Sequence, residues 1–199
     1  MEKHYYIAKT CIIENQSIAI DGRLVFSAAE ADFSSFSKAA FKNCDSSYPK
    51  FYKMDALSKL AFLAAEYLLQ DVDSKGTALL LANRSGSMDT DVAHQKSIQN
   101  VEDFYPSPAT FVYTLANICA GEISIRHQLQ TENAFFIAEN YDSNMMLTYS
   151  NYLLQSGRAA KVLCGWVEFF DENYKAVLYL VDPNVDRLHT VEEINKLFK

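Results

Sequence analysis

Residues 76–82 (GTALLLA) place the tightest limit on what this chain can fold into. A short, unbroken apolar run reads as a strand buried on both faces, and such a strand needs helices above and below its sheet. The neighbouring segments supply them. Residues 54–69 (MDALSKLAFLAAEYLL) carry Leu57, Leu60, Ala61, Ala64, Ala65 and Leu68 at helical spacing, with Asp55 placed as an N-cap. Residues 83–87 read as a polar turn and 89–98 as a helix. Ser107-Pro108 has the form of a capped helix start, and this helix is expected to run to Leu129. Residues 133–138 (NAFFIA) read as a strand. Residues 142–156 read as a helix with Met145, Met146, Tyr149, Tyr152 and Leu153 on one side, closed by Gly157 as a left-handed cap.

Residues 160–169 and 175–181 are strand-like, and the hairpin length of 170–174 makes them an antiparallel pair. Residues 4–13 (HYYIAKTCII) read as a first strand, 14–53 as an excursion or loop region, and 191–198 as a short closing helix. Strands alternating with helices predict one domain over 1–199, a three-layer α/β/α fold. Its sheet is expected to hold five strands, mixed, with the last strand antiparallel.

At 199 residues, 49% of them apolar, the chain has the material for one packed core. With 25 acidic and 18 basic residues the net charge is -7, which excludes a general phosphate-backbone binder. No run approaches the roughly 20 apolar residues of a membrane span. The opening MEKHYYI does not read as a signal peptide. Cys11, Cys44, Cys119 and Cys164 are spaced widely and never as CxxC, and His4, His94, His127 and His189 are equally scattered. No metal centre and no cofactor are expected from that pattern, and the cysteine usage points to a reducing cytoplasm.

Residues 107–133 (SPATFVYTLANICAGEISIRHQLQTEN) resemble the helix that precedes the catalytic cysteine in β-ketoacyl-acyl-carrier-protein synthases. That family has a Ser-Pro start, then Asn-x-x-Ala-Gly-x-Ile/Leu-Ser-Ile, a Leu, and a Gly-Pro-Ser turn. Asn117, Ala120, Gly121, Ile123, Ser124, Ile125 and Leu129 match it in order without gaps. Residues 50–69 are similar to the family's first long helix. Gly157 to Val162, with Gly165 and Glu168, is similar to its post-cysteine strand with a Gly-Gly-x-Glu ending, although Trp166 replaces a small residue. The resemblance implies a thiolase-like fold, first half only.

The departures bear on activity. The family nucleophile is a cysteine activated at a helix N-terminus, and its position falls here on Asn140, which cannot form a thioester. The Gly-Pro-Ser turn becomes Thr131-Glu132-Asn133, and none of the four histidines matches a family motif. Cys119 loosely mimics the family elbow, yet it and Cys164 sit among apolar neighbours as buried, inert thiols. His127 lies roughly 12 Å along the helix axis from Cys119, beyond reach for a base. Asn140 stands as a vestigial position or a hydrogen-bond donor to a carbonyl. Glu132, Glu139 and Asp142 are acids close in sequence, and Asn83–Ser87 lacks the lysine and spacing of a phosphate loop.

Two functions follow from the resemblance. One is a catalytically inactive synthase-like protein, an assembly or specificity partner in fatty acid or polyketide-type biosynthesis. The other is a small acyl-transfer or thioester-handling enzyme with relocated residues. The expected partner is a second copy or a full-length ketosynthase, covering Met145, Met146, Tyr149 and Tyr152. The family's carrier proteins are acidic. Arg126, Arg158 and Lys161 are the candidate contacts for one, and at net charge -7 binding is expected to be weak or indirect.

Overall fold

The computed structural model describes residues 4–29, 32–183 and 187–199, and the apolar run after Gly76 forms a strand buried along its whole length. In chain order the elements are β1 (Tyr6–Glu14), β2 (Ser17–Ile20), β3 (Arg23–Ser27), α1 (Phe33–Asn43), α2 (Ala56–Leu69), β4 (Thr77–Asn83), α3 (Met88–Ile98), α4 (Pro108–Val112), α5 (Ile118–His127), β5 (Asn133–Ile137), α6 (Ser143–Gln155), β6 (Lys161–Phe170), β7 (Asn173–Asp182) and α7 (Val191–Lys196). Single 3₁₀ turns occupy Pro49–Lys53 and Val101–Asp103.

The strands form one mixed sheet of order β3-β2-β1-β7-β6-β4-β5. β4 pairs in parallel with both β5 and β6, whereas β7 is antiparallel to β6 and to β1. The last strand thus opposes the other four expected strands. The expectation of five strands is corrected to seven among the described residues. Residues 14–53, read as an excursion, hold β2, β3 and α1. β2 and β3 extend β1 as an antiparallel meander through two-residue turns at Asn15-Gln16 and Asp21-Gly22, all four residues having positive φ (48°, 55°, 50° and 75°). Strands of four and five residues are too short to show a period of two, which is why the alternation did not reveal them.

The expected continuous helix over 107–129 is also corrected. It is broken into α4 and α5. Ser107 caps α4, its Oγ accepting from the Thr110 amide at 3.2 Å. The Thr114 carbonyl then takes a hydrogen bond from the Ser87 hydroxyl at 2.5 Å instead of from an amide one turn later. Tyr113 turns inward to donate to Glu122 Oε1 at 3.0 Å. A side chain inserted into the ladder in this way is a recognised cause of helix breaks.

Side chains alternate cleanly between the two faces of the sheet. Leu79 and Leu81 of β4 join Leu163, Val167, Leu178 and Leu180 beneath α1, α2 and α5, while Ala78, Leu80 and Ala82 join Cys164, Val177 and Tyr179 beneath α6 and α7. On β1 the alternation changes phase. Ile7 lies on the α6 face and Cys11 and Ile13 on the α2 face, because a bulge between Ile7 and Lys9 shifts the register against β7. Helix α2 begins at Asp55, whose carboxylate accepts from the Ser58 amide at 2.9 Å. Helix α6 ends as expected at Gly157 (φ 71°). The Gly157 and Arg158 amides donate back to Leu154 and Leu153, closing a Schellman cap.

Candidate functional site

The parallel strands β4, β5 and β6 end together, and their carboxyl ends open into a cavity of about 410 Å³. In open α/β sheets this end of the strands is where ligands bind. Arg84 follows β4, Glu139, Asn140 and Tyr141 follow β5, Trp166 and Glu168 come from β6, and Asn195 and Phe198 come from α7 and its continuation. Asp142 caps α6 by accepting from the Met145 amide at 2.9 Å, so Asn140 stands two residues ahead of the cap on the strand-to-helix turn. Its side chain is exposed. A helix N-terminus can lower the pKa of a nearby thiol, but the side chain two residues ahead of this one is an amide.

The loop after β4 is held from within. The buried Asn83 side chain donates to the Gly86 carbonyl at 2.8 Å and accepts from the Gly86 amide at 2.9 Å, and Gly86 adopts φ 57°. The Arg84 and Ser85 amides both point at Glu168 Oε2, at 2.7 and 3.3 Å. Successive amides aimed at one point form an anion nest. Here the anion is the chain's own carboxylate, which gives a structural reason why residues 83–87 only superficially resemble a phosphate loop.

The thiols lie elsewhere. Cys119 is near the start of α5, buried, with its Sγ donating to the Ala116 carbonyl at 3.2 Å, and burial pushes its pKa well up. Cys164 is buried in mid β6, and burial pushes its thiol up to about 12. Burial likewise raises Cys11 and Cys44. A thiol raised in this way is neutral at physiological pH and a poor nucleophile. His127 does not serve Cys119. Its Nε2 lies 3.3 Å from Glu66 Oε2, beside Arg126, which grips both Glu66 oxygens at 2.6 and 3.0 Å. Burial alone would raise the Glu66 carboxyl, but hydrogen bonds from His127, Arg126 and Ser46 outweigh it and hold the group down at about 2.

The acids near in sequence are spread out by β5. Glu132 precedes the strand and meets Arg158 (3.6 Å) and the Tyr149 hydroxyl, Asp142 is spent on the helix cap, and Glu139 alone lines the cavity. The three expected carrier-contact bases are likewise engaged: Arg126 with Glu66, Arg158 with Glu132, and Lys161 with Asp182 at 3.5 Å and the Asp73 carbonyl at 2.9 Å. On α6, Met146 is buried in the chain's own core, Met145 and Tyr149 are partly buried, and Tyr152 is 48% exposed. Among the described residues no group of three or more His, Cys, Asp or Glu side chains could hold a metal ion, and no helix is long and apolar enough to cross a membrane. Sequence reasoning reached Asn140 but missed Arg84 and Trp166 as parts of one site. Only the parallel pairing of β4 with β5 and β6 brings them together.

No protein-family profile matches the chain, and no curated protein does. Solved structures do match its shape. The ishigamide ketosynthase/chain length factor superposes with a TM-score of 0.67 at 19% identity, over 92% of this chain and 64% of that one. A ketosynthase in complex with its chain length factor from Xenorhabdus doucetiae gives 0.59 at 15%, over 91% of this chain and 79% of that one. A β-ketoacyl synthase from Burkholderia phymatum gives 0.61 at 11%, over 91% and 59%. The chain therefore has the thiolase-like ketosynthase fold, and spans 64% of the length of the ishigamide protein.

Proposed function

We propose that the chain is a non-catalytic ketosynthase-like subunit that acts by pairing with a second thiolase-type chain, a ketosynthase or another copy, in fatty acid or polyketide-type synthesis in the cytoplasm. Asn140 carries the reading: an exposed amide occupies the strand-to-helix turn where the reaction needs a thiolate. Burial raises the pKa of all four cysteines, which are free and none of which lines the cavity at Asn140. That arrangement speaks against a relocated thiol nucleophile.

Pairing is supported at the edge of the sheet. β5 is the terminal strand next to β4, with one side of its backbone unpaired, and edges of this kind accept another strand. Apolar surface flanks it on both faces. Phe136, Met145, Tyr149 and Tyr152 border a groove on the α6 side, and Leu115, Phe135 and Ile137 border one on the α5 side, where Ile137 is 66% exposed. Contiguous exposed apolar surface marks interaction sites. Structural neighbours include a ketosynthase described in complex with its chain length factor.

Incubation with an acyl-carrier thioester followed by intact-mass measurement tests the first half of the proposal. No adduct is expected, and an acyl group on any cysteine overturns it. Light scattering of the chain, alone and co-expressed with a ketosynthase, tests the second half. A dimer or a heterodimer lost in Ile137→Lys is expected, and a monomer under both conditions overturns pairing.

A further inference from the structure

The cavity beside Asn140 carries charges of both signs that do not neutralise one another. Among the described residues neither Arg84 nor Glu139 has an ion-pair partner, although both line the cavity. Glu168 is satisfied on one side only: Oε2 accepts from the Arg84 and Ser85 amides, while Oε1 is enclosed and accepts from nothing. With Oε1 closed off from solvent and Oε2 occupied, Glu168 acts on a ligand through its charge rather than by direct contact. Asn140, Ser143, Asn195 and three aromatic rings complete the lining. Tyr141 stacks on Phe198 at 4.4 Å and meets Trp166 edge-on at 6.2 Å, and all three rings border the cavity. Its volume of about 410 Å³ lies within the range of small-molecule sites.

A simple acid entering this cavity would meet Arg84 but be repelled by two carboxylates. A simple amine would satisfy the carboxylates and face an unpaired guanidinium. A dipolar ligand satisfies both. We propose that the cavity binds a zwitterion of the amino-acid class, its carboxylate on Arg84, its ammonium on Glu139 in the field of Glu168, and its apolar part against Trp166 and Phe198. The site is formed by the strand ends and α7, apart from the grooves along β5, so it does not depend on the pairing role.

Calorimetric titration with L-phenylalanine, 2-phenylethylamine and 3-phenylpropanoate tests this, since the last two each lack one of the charges. Saturable binding of phenylalanine is expected, with each single-charge analogue about tenfold weaker or more. Arg84→Gln should weaken phenylalanine by about tenfold yet leave the amine unchanged or tighter. Glu139→Gln should weaken phenylalanine but not 3-phenylpropanoate. Both side chains reach solvent, so neither change threatens folding. Failure of phenylalanine to bind, equal binding of all three compounds, or indifference to both substitutions overturns the proposal.

Discussion

Gly165 on β6 faces Leu178 of β7, and an added Cβ would stand 2.4 Å from the Val177 carbonyl oxygen and 2.9 Å from Leu178 Cα. Backbone atoms in the middle of a sheet cannot give way as a flexible side chain would. Gly165→Ala is therefore expected to destabilise the protein by about 3 kcal/mol, read as a lower urea midpoint. Glu66 is the other residue whose neighbours decide everything. Glu66→Gln removes a carboxylate held by Arg126 and His127 and leaves a half-buried guanidinium short of its counter-charge. A loss of about 2 kcal/mol is expected, and Arg126→Lys should recover none of it because lysine cannot make the two-pronged contact. At this scale the apolar surroundings of Cys119 and Cys164 already announced buried thiols. The Glu66–Arg126 contact was illegible, since it joins two helices 60 residues apart.

Among the elements, those with strong periodicity or a decisive cap follow from local residues. The α2 helix starts where Asp55 puts it, and α6 stops where Gly157 puts it. Gly157→Ala should cost about 1 kcal/mol, because a Cβ is strained at φ 71° even though nothing crowds the site. Ser87→Ala tests the break between α4 and α5: losing its bond to the Thr114 carbonyl should raise amide exchange at 113–117 well before global unfolding. Asp21-Gly22 is a signal for a two-residue hairpin that could have revealed β2 and β3, since both residues take positive φ as a type I′ turn requires. Weak alternation in the short flanking strands hid it. The break at 113–117 had no comparable signal, because its cause is a serine on the distant β4–α3 loop.

For the whole molecule, pH should act through two groups whose folded-state pKa values are depressed. Burial lowers His189 to about 4, while its backbone amide ties the C-terminal segment to Tyr5. The unfolded chain binds that proton more readily, so stability is complete above about pH 6.5 and falls by roughly 3 kcal/mol as pH drops to 4. Glu66, held at about 2, contributes stability above about pH 4.5 that is lost on further acidification. Urea midpoints between pH 7 and 3 should decline in those two stages, and His189→Phe should flatten the first. A carrier protein titrated at low salt is expected to bind weakly, since Arg126, Arg158 and Lys161 are each engaged with an acid on a chain of net charge -7. Tight binding lost on reversing Lys161 would refute that. By itself the sequence determined the layered α/β class, the buried central strand, the final antiparallel pair and the amide at position 140, because periodicity, hairpin length and residue identity are local properties. The tertiary structure decided the seventh-strand width of the sheet, the broken helix, and the meeting of Arg84, Asn140, Trp166 and Glu168 in one cavity. These depend on which strand lies beside which, and pairing between distant segments leaves no period for a single chain to display.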